Sequence, residues 1–225
     1  MTLQLHPLQT EILFHLGPVP ITSEVTTTWA IMAVLVAISW LAMRHAKVKG
    51  GWLQTVVEVA VEAIADQVEA ILRVDPWKYL PLLATLFIYL VFANLSGMLP
   101  GVEAPTAHIE TPAALALIVF FSVQFYGLRS QGLKAYAKRY LEPNPLLLPL
   151  NLVSQVTRSF SLMMRLFGNM MSHELVLAII LFLAGLFVPV PFMLLGILIG
   201  LIQAFIFTVL ATVYIGGAVG GGEAG

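Results

Sequence analysis

Arg158, Arg165, His173 and Glu174 are the residues of this sequence best placed to do chemistry, because each lies inside a long run of apolar residues, 146–188. Ionisable groups at membrane depth are costly, so a function is their default explanation. Glu174 is the only acid between Leu146 and Ile215. On one straight helix, nine residues separate Arg165 from Glu174, about 13 Å along the axis and about half a turn around it. The two are therefore poor partners, and the counter-charge for Arg165 must come from another chain or from lipid. A guanidinium does not deprotonate at any relevant pH. It can attract a passing carboxylate and favour its ionised form, but it cannot relay a proton. That combination suits a gate.

His173 and Glu174 are titratable neighbours off the arginine face. They read as a proton relay or hydrated inlet, or else as a structural pair tying two helices. Arg158 reads either as a cation reaching back to the interface or as a direct participant. Gln203 is the main polar side chain of the last apolar run and could bond Asn169 or Arg165 across a hairpin. Gly196 and Gly200 form a small-xxx-small pair that permits close helix approach.

The elements that position these residues follow from hydropathy. Of 225 residues, 59% are hydrophobic and 10% charged, against roughly 25% charged in a soluble domain. A membrane helix needs about 20 mostly apolar residues. Apolar blocks fall at 29–43 (extending back through Thr26), 79–99, 113–128, 146–188 and 192–215, with Val188-Pro189-Val190-Pro191 dividing the last two. As one helix, 146–188 would run about 65 Å, twice the hydrocarbon thickness. We read it as a single, steeply tilted helix; the alternative is a hairpin turning at Gly168-Asn169. The block 52–72 carries Glu58, Glu62, Asp66 and Glu69 opposite apolar residues at helical spacing. It reads as an amphipathic helix, either on the membrane surface or packed on a partner. The tail 216–225 is glycine-rich and reads as flexible.

Cations sort by loop. Arg44, Lys47, Lys49, Arg73 and Lys78 lie between the first two spans, and Arg129, Lys134, Lys138 and Arg139 follow the third. The N-terminal segment 1–28 and the loop 100–112 hold none. The positive-inside rule then puts the N-terminus outside, and five spans put the C-terminus in the cytoplasm. With no Lys or Arg before Arg44, the start lacks the positive region of a secretory signal and reads as mature protein. The absence of cysteine excludes disulfides, thiolate metal sites and cysteine nucleophiles. No Walker-type glycine loop is present, so nucleotide chemistry would belong to other chains. No cofactor, metal site or nucleic-acid partner is expected.

The run from Ser161 to Met170, Ser-Leu-Met-Met-Arg-Leu-Phe-Gly-Asn-Met, with Glu174 after it, resembles the signature of F-type ATP synthase subunit a. The run Gln203-Ala204-Phe205-Ile206-Phe207-Thr208-Val209-Leu210 is similar to that family's last helix. Asn94-Leu95-Ser96-Gly97-Met98-Leu99-Pro100, Pro105-Thr106-Ala107 and Pro149-Leu150-Asn151-Leu152 resemble further motifs of it. The resemblance implies an all-α membrane protein of about five spans plus a cytoplasmic amphipathic helix, its last two helices a tilted hairpin against a rotor ring. It implies a non-catalytic subunit of the bacterial inner membrane that conducts protons through two half-channels to and from the carboxylates of the subunit c ring. The subunit b stalk and the remaining synthase subunits would be its other partners.

Residue by residue, the resemblance makes Arg165 the stator arginine. Glu174, His173 and Gln203 would line or support the inlet, with Asn169 beside the arginine and Ser161 and Arg158 in support. Some members carry a histidine on the last helix opposite a glycine. This chain has the reciprocal pair, His173 and Gly196, which implies one imidazole filling one interhelical space. Ser154 and Gln155 stand where many members place an acid, Arg158-Ser159 where many have Lys-Pro, and His108 where an Asp is common. The short N-terminal segment resembles a divergent bacterial branch, some of whose complexes are thought to move Na⁺. A self-contained secondary transporter is the competing reading, but no repeated half carries a second arginine segment. A membrane scaffold without transport would leave Arg165 and Glu174 unexplained.

Overall fold

The computed structural model describes residues 12–16, 19–44, 52–98, 102, 104–133, 148–185 and 188–220. The chain is a helical bundle entered through a small antiparallel hairpin, β1 (Ile12–Leu16) and β2 (Val19–Thr22). Six helices follow: α1 (Ser23–Arg44), α2 (Trp52–Leu72), α3 (Leu80–Ser96), α4 (Glu110–Gln131), α5 (Leu148–Ala184) and α6 (Pro189–Val219). Helices α1, α4, α5 and α6 are long and apolar enough to cross a membrane; α3, also apolar, is shorter at 17 residues. That fits a multi-pass membrane protein.

Several expected boundaries move for local reasons. Helix α1 starts at Ser23 rather than within the Thr run, and the hairpin occupies part of the expected N-terminal segment. Ser23 and Glu24 suit a helix start. The threonines are accommodated because Thr27 Oγ1 donates to the Ser23 carbonyl at 3.0 Å, sparing a free hydroxyl.

Within the 146–188 run, Leu148–Ala184 form one uninterrupted helix, about 55 Å long by its 37 residues. Gly168 stays helical, and no turn forms at Gly168-Asn169. The break comes instead at Gly185, whose φ of +75° is the left-handed conformation that ends helices. Pro189 and Pro191 then sit in the first turn of α6, where a missing N–H costs nothing.

At its far end α6 continues to Val219, well into the glycine-rich tail. Gly216 is buried there, with Leu72 of α2 beside it. Gln131 Nε2 donates to the Ala218 carbonyl at 2.9 Å, satisfying one of the terminal acceptors of the helix. The expected tail beyond residue 220 lies outside the described residues, as do Lys47, Lys49, Lys134, Lys138 and Arg139.

The core lies where α3, α4, α5 and α6 meet. Leu83, Leu90 and Ala93 of α3, Val119 of α4, Leu162 and Leu166 of α5, and Phe207, Ala211 and Ile215 of α6 are all fully buried. Helix α2 occupies the predicted 52–72. Ala65, Val68 and Leu72 pack inward, while Glu58, Glu62, Asp66 and Glu69 are exposed. Between α3 and α4 the chain makes a short 3-10 turn, Pro105–Ala107, buried against α5. This strap matters for the site below.

Candidate functional site

Helix α5 carries most of the site, and its two faces differ. Arg158, Ser161, Arg165, Asn169, Ser172 and Val176 recur at intervals of three, four or seven residues and form one exposed stripe. Met164, next to Arg165 in the chain, borders it on one side and is also exposed. Among the described residues Arg165 makes no ion pair or hydrogen bond. Arg158, seven residues earlier on the stripe, has its guanidinium 5.8 Å from the centre of the Tyr214 ring of α6. Such stacking keeps a cation fixed beside an aromatic face.

Glu174 lies on the opposite face, while His173 lies about 80° round the helix from Arg165, on the flank of the stripe next to Asn169. Glu174 Oε1 accepts the backbone N–H of Ala104 at 3.0 Å, so the strap reaches across to the acid of α5. The half-turn offset expected between Arg165 and Glu174 is thus what the fold has. They face different surroundings and do not pair.

His173 projects toward α6. A Cβ built on Gly196 would fall on the His173 ring and on Cε of Met98. Glycine is therefore required at 196 because the imidazole occupies that space, as the reciprocal arrangement implied. His173 Nε2 is buried without a hydrogen-bond partner, as is Nε2 of Gln203. Buried polar atoms usually find a partner or a water. Two such donors or acceptors in one interhelical layer mark a place where water would be stabilised.

Gln203 Oε1 accepts from Asn169 Nδ2 at 2.7 Å, so of the two partners considered for Gln203 the structure has Asn169. Asn169 lies next along the stripe from Arg165 and joins the arginine face to the buried layer between α5 and α6. The two glycines of the small-xxx-small pair serve different neighbours. Gly196 makes room for His173 of α5, whereas Gly200 lets Asn94 of α3 approach, its Cβ position lying 3.1 Å from Asn94 Cβ.

Sequence reasoning did not assign three polar groupings. Asn94 Nδ2 donates to the Gly200 carbonyl at 2.8 Å, and Asn94 Oδ1 accepts from Thr106 Oγ1 at 2.8 Å. One buried amide thereby binds α3 to α6 and to the strap. Gln155, at a position where many members of the resembling family carry an acid, is joined to Gln124 of α4. Glu24 of α1 lies beside His108, just after the strap. The signal for Asn94 and Thr106 was present, since both lie in recognised motifs, but nothing in their spacing says that they meet.

This arrangement can be set beside known proteins. Residues 25–216 match the family described as ATP synthase A chain. The chain belongs to that family. It is 55% identical over 218 residues to "ATP synthase subunit a 2" of Bradyrhizobium sp. strain BTAi1, covering 97% of this chain and 98% of that one. It is 44% identical to "ATP synthase subunit a 2" of Pelobacter propionicus, covering 93% and 92%. It is 41% identical to "ATP synthase subunit a" of Moorella thermoacetica, covering 93% and 96%. Membership of the subunit a family, together with the apolar helices, places the chain in ATP synthesis and ion transport as a transmembrane component of the CF(0) sector.

Proposed function

We propose that this chain is the non-catalytic stator channel of an F-type ATP synthase, passing protons to and from carboxylates on a rotating ring of subunit c. One observation carries the reading. Arg165 is exposed on an apolar helix and unpaired among the described residues, while the acid of the same helix is engaged on the opposite face. A charge so placed is finished by a partner that moves past it.

The chemistry follows from the two faces. A ring carboxylate nearing Arg165 is drawn to the guanidinium, which favours its ionised form. The proton must therefore leave on one side before the carboxylate passes. Because arginine holds its own protons, it cannot short-circuit the two sides. Glu174, His173 and Gln203 form the inlet side, where the partnerless nitrogens of His173 and Gln203 favour a hydrated path. Asn169 keeps the inlet layer and the arginine stripe in register. Arg158 and Ser161 support the stripe.

In this reading the N-terminus and the strap are on the outer side of a bacterial inner membrane and the C-terminus is cytoplasmic. Helix α2 lies along the cytoplasmic membrane surface with its acidic residues toward water. The stalk formed by subunit b and the other synthase subunits complete the assembly.

The test is Arg165→Ala in the whole synthase. The complex should assemble and hydrolyse ATP, while ATP synthesis driven by an ion gradient should fall to background. Synthesis at the parent rate would remove the gate role.

A further inference from the structure

Helix α3 is capped by Gly97, whose φ of −66° and ψ of −8° are ordinary right-handed helical values. Glycine is favoured at a helix end chiefly where the chain must turn left-handed, which this position does not require. Where the native conformation suits any residue, alanine is the more stable choice, because it restricts the unfolded chain. The backbone therefore gives no reason for glycine here. The reason lies in the space beside it.

That space is taken by the strap. A Cβ built on Gly97 would lie 2.8 Å from Ala104 Cβ, closer than such atoms approach in proteins. It would also lie 3.4 Å from Ala104 N and 3.4 Å from Glu174 Oε1. Those two atoms are the ends of the hydrogen bond by which the strap meets the carboxylate. The bare Cα of Gly97 is thus the wall on which this bond rests. The strap has little room to retreat from it. Ala104 is 2% exposed, and Thr106 is fully buried with its Oγ1 donating to Asn94. Asn94 lies one turn before Gly97 and itself donates to the Gly200 carbonyl of α6. The strap is therefore tied to the same end of α3 from which a methyl at 97 would push it. No flexible side chain could absorb that push. The backbone of Ala104 would have to move, and its N–H is what touches Glu174.

We propose that Gly97 is a positioning residue of the inlet: by lacking a side chain, it lets the strap settle on the end of α3 and set the Ala104 amide against the Glu174 carboxylate. This rests on the reading of Glu174 as the inlet acid. Gly97 neither binds nor passes the proton. It fixes where one oxygen of the acid sits, and so where a proton arrives and leaves. Gly97 stands to Glu174 as Gly196 stands to His173: each titratable side chain of the inlet has its space kept by a glycine on a neighbouring helix.

The experiment uses the whole synthase in vesicles. Passive proton flow under a K⁺ diffusion potential is measured per assembled complex after the catalytic head has been stripped. Gly97→Ala should lower flow by about tenfold, since misplacing a reacting group by about 1 Å costs up to about a hundredfold. Adding Ala104→Gly removes the carbon that the new methyl meets and should recover most of that flow. The decisive comparison uses Glu174→Asp, which keeps an acid but withdraws it by one methylene from Ala104 N–H. In that background Gly97→Ala should lower flow no further, because its effect passes through the seated carboxylate. A merely structural role would lower flow by the same factor in both backgrounds.

Parent-like flow in Gly97→Ala, no recovery on adding Ala104→Gly, or an equal loss in the Glu174→Asp background would each overturn the inference. If Gly97→Ala does not assemble, Ala104→Pro decides in its place. The φ of −66° at Ala104 already suits proline, whose ring removes the N–H. It should slow flow in the parent and not in Glu174→Asp; equal effects in the two would overturn the inference. Glu174→Gln is measured alongside. If it slows flow while Gly97→Ala runs like the parent, the positioning role fails and the inlet reading stands. If Glu174→Gln leaves flow unchanged, the inlet reading itself fails, and the inference with it.

Discussion

The two faces of α5 share a backbone and differ in how they are completed. Away from the arginine stripe, each group the sequence singled out meets a neighbour from its own chain. Glu174 holds the strap through Ala104, and His173 fills the space left by Gly196. On the outer face, Arg165 sits among exposed serines and apolar side chains with nothing of its own chain to neutralise it among the described residues. A folded chain leaves a charge in that state only when something outside completes it, because an unpaired charge in hydrocarbon is expensive. The inner face therefore shows what the chain needs to fold and, in the proposed reading, to admit an ion. The outer face shows what it needs from a partner.

The largest effect that would break this contrast is the loss of gradient-driven synthesis in Arg165→Ala, since the other cation of the stripe, Arg158, lies two turns away beside Tyr214. Next comes Glu174→Gln. The amide can still accept from Ala104 N–H, so the strap should stay seated and the complex should assemble. Proton flow should nonetheless drop by about a hundredfold or more, the range general acid–base groups contribute. Parent-like flow in both Glu174→Gln and His173→Ala would make the inner face purely structural.

A smaller effect is expected at Gly196. Gly196→Ala forces a methyl group onto the His173 ring and should lower the thermal stability of the purified complex by about 1–3 kcal/mol, the usual penalty of overpacking. Adding His173→Gly to it should recover most of that stability without recovering flow. If the double variant is no more stable than Gly196→Ala alone, the two residues do not share the space. The smallest effect belongs to Asn169→Ala. Its bond to Gln203 should contribute about 0.6 kcal/mol, the average for such interhelical bonds. A double-mutant cycle with Gln203→Ala should return a coupling of that order; a value near zero would separate the stripe from the buried layer.

How much of this was legible before the fold was seen depends on the range of the interaction. The apolar runs predicted the membrane-length helices because hydropathy is a property of consecutive residues. The separation of Arg165 from Glu174 was legible because 100° per residue places any two residues of one helix. The unbroken course of Leu148–Ala184 through Gly168-Asn169 was also readable, since Gly168 alone is weak punctuation in a helix. The ends were harder. Val188-Pro189-Val190-Pro191 reads as a break, yet Gly185 ends α5 and the prolines open α6, because proline obstructs a helix interior and not its first turn. The glycine-rich stretch from 216 reads as loose chain. It is helical to Val219 because Leu72 and Gln131 pack and bond against it, which no local pattern reports.

The strap was the least readable part. Its ties to Asn94, Glu174 and Glu24 join residues far apart in the chain and carry no periodicity. For the same reason the close approach of Gly196 and Gly200 was legible as a need for small residues, while the identity of the two different neighbours was not.

The central claim is that the partner of Arg165 lies on another polypeptide. A structure of the assembled membrane sector tests it most directly. We expect a carboxylate of a ring subunit to come within about 4–6 Å of the Arg165 guanidinium, the range over which an opposite charge favours ionisation, while Glu174 stays with Ala104. A guanidinium neutralised entirely by acids of its own chain, or lying in bulk water away from any ring, would contradict the account.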